Sequence, residues 1–196
     1  MRRPRSTALR GGLIGLFWAA CLLRARPAWA GVIDYPIGPD SADIRFHTLV
    51  AGTVPVDGAF TRFAGHILLD PAHPEAVRIA VTVMDDAMDV PFGGASMLRA
   101  PAYFDYRRTP EIRFTSDHAA IGADGQFTVA GQLTIRGVTR PEELAGTVTR
   151  SRRDGVDVLQ VAAHGRLDRT EFGMVADRPL IADGVTLRIT ATLRLP

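Results

Sequence analysis

No lysine occurs anywhere in this chain; all 23 basic residues are arginine. That removes Schiff-base chemistry and any phosphate-binding loop built on lysine. The one cysteine, Cys21, lies within the first thirty residues. Beyond it there is no disulfide, no thiol nucleophile and no thiolate ligand. The serines past that point, Ser41, Ser96, Ser116 and Ser151, sit in no G-x-S-x-G element, and no G-x-G-x-x-G occurs. The five histidines (47, 66, 73, 118, 164) show no H-x-x-x-H or H-E-x-x-H spacing. Asp85, Asp86 and Asp89 in "MDDAMD" are hard oxygen ligands of the kind calcium takes, but the run lacks the glycine and closing glutamate of a calcium loop and reads as a solvated strand end. No catalytic residue, metal or cofactor is expected.

Long apolar runs are also scarce. "GGLIGLFWAACLL" covers thirteen residues, too short to span a bilayer. It follows the basic "MRRPRSTALR" and precedes Ala28-Trp29-Ala30, small residues at −3 and −1 of a cut before Gly31. Residues 1–30 therefore read as a cleavable secretory signal peptide, which predicts a periplasmic chain without stable membrane insertion. Arg2-Arg3 alone is a weak twin-arginine signal. Lipidation at Cys21 is disfavoured by Trp18, where such sites usually carry leucine. Six arginines leave with the leader, while all 21 acidic residues stay. Seventeen arginines against these give a net charge of −4, so no basic field remains for nucleic acid.

What is present is alternation. In "VTLRITATLRL", Val185, Leu187, Ile189, Ala191, Leu193 and Leu195 share one face, while Thr186, Arg188, Thr190, Thr192 and Arg194 share the other. That is a strand with one buried and one wet face. Asp-Gly, a strong hairpin signal, occurs at Asp57-Gly58, Asp124-Gly125, Asp154-Gly155 and Asp183-Gly184. Each is followed by a strand-like run. About eight strands result, a count suited to a closed antiparallel barrel. The polar second face, with Gln132, Thr134, Arg136, Arg188 and Arg194, excludes a membrane barrel. Residues 89–110 are too long for a bare hairpin loop. They are expected to form a short helical flap, around residues 93–105, across one mouth. A homodimer through an exposed strand face is compatible with this pattern but not required by it.

"GQLTIRGVTRPEEL" (Gly131–Leu144) resembles the signature strand-turn of the YceI-like family, the periplasmic polyisoprenoid-binding proteins. Four further stretches are similar to the family's pattern: "VPVDGAFTRFAGHILLDPAHPEAVRIAVTV", "MLRAPAYFDYRRTPEIRFTSDHA", "LDRTEFGM" and "GVTLRITATLRL". The resemblance implies an all-β, eight-stranded antiparallel, lipocalin-like barrel over residues 31–196. It further implies a hydrophobic tunnel for an isoprenoid lipid ligand, of quinone or polyprenyl phosphate type, and binding rather than catalysis. Family members often carry histidines where this chain has Asp40-Ser41 and Met97, which leaves the head-group contact open.

On this reading Leu133 and Ile135 line the lumen, Gly137 turns the chain at the rim, and Pro141 keeps the next strand from pairing early. Arg136 and Arg140 read as solvated arginines beside Glu142 or Glu143. The expected ligand-binding residues are Phe46, Phe63, Met84, Met97, Leu98, Phe104, Phe114, Phe127, Leu133, Ile135, Phe172 and Met174. Of these, Phe104, Phe114, Met97 and Leu98 are placed at the tunnel mouth. Two rival readings stand beside the carrier: a barrel filled by its own side chains that serves as an interaction module, and an enzyme acting on a lipid-like substrate.

Overall fold

The protein is described by a computed structural model covering residues 31–70 and 73–195. β1 (Ile33–Ile37), β2 (Ala42–Val50), β3 (Val54–Phe60), β4 (Phe63–Asp70), β5 (His73–Met84) and β6 (Met88–Asp89) come first. A 3₁₀ turn at Pro91–Gly93 and the short helix α1 (Gly94–Leu98) follow. Then come β7 (Glu111–Ile121), β8 (Gln126–Ile135), β9 (Val138–Arg153) and β10 (Val156–Asp168). A second 3₁₀ turn, Arg169–Phe172, precedes β11 (Gly184–Arg194).

All pairings are antiparallel, in the order β1-β4-β5-β7-β8-β9-β10-β11-β2-β3-β6. The two ends of that order belong to one hairpin. β1 and β2 are a single strand bent at residues 38–41, and β3 and β4 a single strand bent at residues 61–62. β1 pairs with β4, and β2 with β3. β6 continues β5 past a turn, where the Met84 amide donates to the Arg62 carbonyl and the Thr61 amide to the Ala87 carbonyl. The sheet therefore closes into a barrel of eight long strands, three of them broken at bends. The eight strands expected from sequence and the eleven observed segments are one barrel, counted before and after those bends. Closure gives each of the eight long strands a paired neighbour on both sides over at least part of its length.

Alternation sets the two faces as predicted. Along β8, Phe127, Val129, Gly131, Leu133 and Ile135 turn inward; Val129, Leu133 and Ile135 are buried, while Gln126, Thr128 and Gln132 face solvent. β8 and β9 are joined by Arg136-Gly137, with φ of 53° and 75°. Two consecutive positive φ values match the right-handed strand twist, and glycine takes the second at no steric cost. Asp154-Gly155 joins β9 to β10 in the same way, with φ of 50° and 80°.

Other turn expectations need correction. Asp57-Gly58 lies inside β3, and Asp183-Gly184 leads into β11 rather than forming a hairpin. The turn between β2 and β3 is Ala51-Gly52-Thr53, which the Asp-Gly rule passes over. Pro141 does not delay pairing either. It sits within β9 opposite Gln132. Its missing N–H is tolerated because β9 has no partner there on its other side: pairing with β10 begins only at Ala145, opposite His164.

One barrel end is closed. Tyr35, Ala191 and Leu193 pack there with Ile33, Leu69, Leu159 and Leu195. At the other end lies the flap. Its helical part is only Gly94–Leu98, and the rest of the expected 93–105 segment is turns.

Candidate functional site

An apolar cavity of about 480 Å³ runs up the barrel axis from the closed end. Its wall is built from the inward residues of nearly every strand, including Ile44 and Phe46 on β2, Ile79 and Val81 on β5, and Leu187 and Ile189 on β11. The flap residues Pro91–Gly94, Met97 and Leu98 complete it, with Ile181 opposite. The lumen is thus not packed solid, which removes the support the filled-barrel alternative needed.

The bore stays open in a barrel rich in phenylalanine because of where the glycines fall. Phe46 is paired across the strands with Gly58, and a Cβ on Gly58 would stand 2.2 Å from the Phe46 ring. Phe127 is opposite Gly146, where a Cβ would meet its ring at 2.8 Å. Each ring occupies space that a side chain on the glycine across from it would fill. The Gly-Phe pairs thereby convert side-chain volume into lining. Phe60 sits between Phe46 and Phe104, tilted against the first and edge-on to the second, with ring centroids 5.4 and 6.3 Å away.

Ten of the twelve residues expected at the ligand site lie on this wall: Phe46, Phe63, Met97, Leu98, Phe104, Phe114, Phe127, Leu133, Ile135 and Met174. Met84 does not. It pairs with Glu111 on the outward face, one step out of phase with the inward Val83–Ile112 pair. Phe172 does not either; it is fully buried in the cluster that backs the wall, beside Met174 and Leu167. Of the four residues expected at the mouth, Met97, Leu98 and Phe104 belong to the flap and the turn after it, whereas Phe114 sits deeper, opposite Leu133 on β8.

Charged groups reach the wall in two places. At the first, β9 and β10 part. Their pairing ends at Ala145–His164, although β10 stays paired with β11 to Asp168–Gly184. Glu142, Glu143 and Arg166 line both the bore and an outer hollow of about 490 Å³ at this seam. Burial, with a smaller push from Glu171, holds the Glu142 carboxyl above its ordinary range.

The second place is Arg169, which is 4% exposed. Its guanidinium donates to three backbone carbonyls: Nε to Ala182 at 3.0 Å, Nη1 to Met174 at 2.5 Å and Nη2 to Ile181 at 2.9 Å. Asp183 is 3.7 Å from Nη2. The 3₁₀ turn that aims it is capped by Asp168, which accepts from the Thr170 amide and hydroxyl. Those bonds hold the Asp168 carboxyl below its usual range. Arg169 thus fixes residues 174–182 over the barrel end. Sequence reasoning did not single it out, because a lone arginine in "LDRTEF" carries no periodic signal.

Arg136 is not a solvated arginine beside Glu142 or Glu143. It donates to the carbonyls of Gly173 and Pro101 and pins the β8–β9 turn to the flap and the late loop. The Tyr103 hydroxyl donates to Asp177 and adds a second tie between the same elements. Burial and that carboxylate push the Tyr103 hydroxyl up to about 12.

Asp85, where the chain turns from β5 to β6, is 1% exposed, and its Oδ1 has no hydrogen-bond partner. Burial and neighbouring Asp86 push its pKa up to about 6. A carboxyl whose folded value is raised binds its proton more tightly when folded. Its stabilising contribution is complete below about pH 4 and is lost as pH rises through 6. Asp85→Asn is expected to raise neutral-pH stability by about 2 kcal/mol and to flatten the dependence between pH 4 and 7. Urea melts across that range check this; parallel curves for the two chains would contradict it. Among the described residues no three metal-capable side chains converge, and no helix is long and apolar enough to cross a membrane.

Comparison with known proteins adds a lineage to this geometry. The profile of the YceI-like domain matches residues 35–193. A UPF0312 protein of Photorhabdus laumondii is 29% identical over 173 residues, covering 86% of this chain and 89% of that one. A UPF0312 protein of Yersinia enterocolitica is 28% identical over 170 residues, with 84% and 87% covered. Among solved structures, Burkholderia cenocepacia BcnA superposes with a TM-score of 0.69 at 20% identity, over 77% of this chain and 95% of that one. A polyisoprenoid-binding domain from Saccharophagus degradans gives 0.62 at 12% identity, over 83% and 98%. At such identities these two structures speak to the fold.

Proposed function

This chain belongs to the YceI-like domain family, and on that premise we propose that its barrel binds one long apolar isoprenoid lipid, of quinone or polyprenyl phosphate type, and shields it from water. The observation that carries the reading is the bore itself: about 480 Å³ of hydrocarbon-walled space in a closed barrel, within the range of small-molecule sites. The Saccharophagus degradans neighbour, described as a polyisoprenoid-binding domain, supports the ligand class.

The driving force is burial. At about 25 cal/mol per Å², a few hundred Å² of apolar chain supplies several kcal/mol before the costs of binding. The tail lies along the phenyl rings of the wall. The polar head sits where the wall turns polar, at the Glu142–Arg166 seam or beneath the flap. Carriage, storage or protection of the lipid follows from sequestration alone and calls for no reaction. The leader-like residues 1–30, which lie outside the described residues, support a periplasmic site of action.

Native mass spectrometry of the chain purified from periplasm, followed by lipid extraction, tests the reading. The expected result is a stoichiometric adduct whose fragments carry the isoprene repeat. An apo mass that takes up neither added quinone nor polyprenyl phosphate would reject it.

A further inference from the structure

Six large apolar side chains among the described residues are exposed: Val54, Phe92, Met97, Val156, Val175 and Leu180. Five of them stand on three segments that frame the flap end of the bore. Val54 is at the β2–β3 tip, Phe92 and Met97 are on the flap, and Val175 and Leu180 are on the loop after Phe172. That loop is tied to the tip, with the Ala51 amide donating to the Leu180 carbonyl at 2.7 Å and the Ala182 amide to the Leu49 carbonyl at 2.9 Å. The cavity wall runs out into each segment, through Val56, Phe92 and Ile181.

Charge avoids the same places. In a chain whose residues are 22% charged, segments 51–56 and 90–98 carry no charge, and 174–182 carries only Asp177 and Arg178. Both are engaged, Asp177 by the Tyr103 hydroxyl and Arg178 by Asp183 at 2.6 Å. At the opposite end the β9–β10 hairpin is dense in charge, with Arg150, Arg152, Arg153, Asp154 and Asp157. The large exposed apolar side chains thus gather at the flap end, beside the exposed Arg107 and Arg108 of the turn that follows the flap.

A ring of exposed apolar side chains is costly in water and fits the interfacial layer of a bilayer, where flanking arginines meet the headgroups. Here the ring also surrounds the open end of an apolar bore. An isoprenoid leaving a membrane through water would expose the very surface the bore is shaped to hide. A mouth seated on the lipid surface passes it from hydrocarbon to hydrocarbon. We infer that the flap end is a membrane-docking rim, by which Val54, Phe92, Met97, Val175 and Leu180 seat the mouth of the bore on a phospholipid bilayer. This rests on reading the bore as an isoprenoid site.

The test separates docking from binding. A Val54→Glu, Leu180→Glu chain is compared with wild type; neither side chain lines the cavity. Each is offered a long-chain ubiquinone, either in phosphatidylethanolamine–phosphatidylglycerol vesicles or directly from ethanol. Wild type is expected to load by both routes. The variant is expected to load normally from ethanol and about tenfold more slowly from vesicles, since two apolar contacts become charged. Loading of the variant from vesicles at the wild-type rate would overturn the inference, as would a change in oligomeric state, which would assign the rim to a second copy. A second measurement stands alone if uptake falls equally by both routes, or if wild type loads by neither, in which case the isoprenoid reading fails. Fluorescence of a Phe92→Trp chain, read against wild type, should shift blue on adding quinone-free vesicles. No shift overturns the rim.

Discussion

Arg169→Met is expected to lower the unfolding free energy by about 3–5 kcal/mol, because one buried and two partly buried carbonyls lose their donor at once. For a domain of this size that corresponds to a fall in melting temperature of roughly 10 °C or more. Circular-dichroism melts at neutral pH provide the check. Arg169→Lys should recover only part of the loss. A lysine ammonium is a point charge and cannot present the planar fork that meets the carbonyls of Ala182, Met174 and Ile181 together. A cost below about 1 kcal/mol for the methionine chain would mean that water satisfies those carbonyls, and that residues 174–182 hold their place without Arg169.

Ala163→Trp is expected to weaken isoprenoid binding by roughly a hundredfold while leaving the fold intact. Ala163 lies on the inner wall between Gly146 and Ile189 of its neighbouring strands. An indole there occupies space the ligand would fill. Excluding about 120 Å² of ligand chain from burial is worth about 3 kcal/mol, or roughly a hundredfold in affinity. Ala162→Trp, one residue away and facing solvent, is the matched control and should bind like wild type. Quinone titration of both chains decides the matter. Equal affinity for the two would show that the ligand does not lie in the bore at this level.

Much of the barrel was legible because strand alternation is a local property. Val185, Leu187, Ile189 and Ala191 declare one face of β11 by spacing alone, and the structure lines the cavity with them. Where a signal depends on context, local reading fell short. Asp57-Gly58 looks like a hairpin, yet its glycine serves the Phe46 ring across the strands. Met84 looks like any gap-filling methionine, yet the β5–β7 register sends it outward. Arg136 looks solvated because its acceptors, Gly173 and Pro101, are more than thirty residues away in sequence.

The sequence by itself determined the closed, all-β class, the inward apolar face, the absence of lysine chemistry and the absence of any thiol beyond Cys21, since composition and period-two patterning act within a few residues. Only the tertiary structure decided that the lumen is hollow, that Arg169 and Arg136 lock its open end, and that the exposed apolar residues gather on one rim. Each of those depends on which strands become neighbours and in what register, and pairing across a closed sheet joins positions that no local pattern relates.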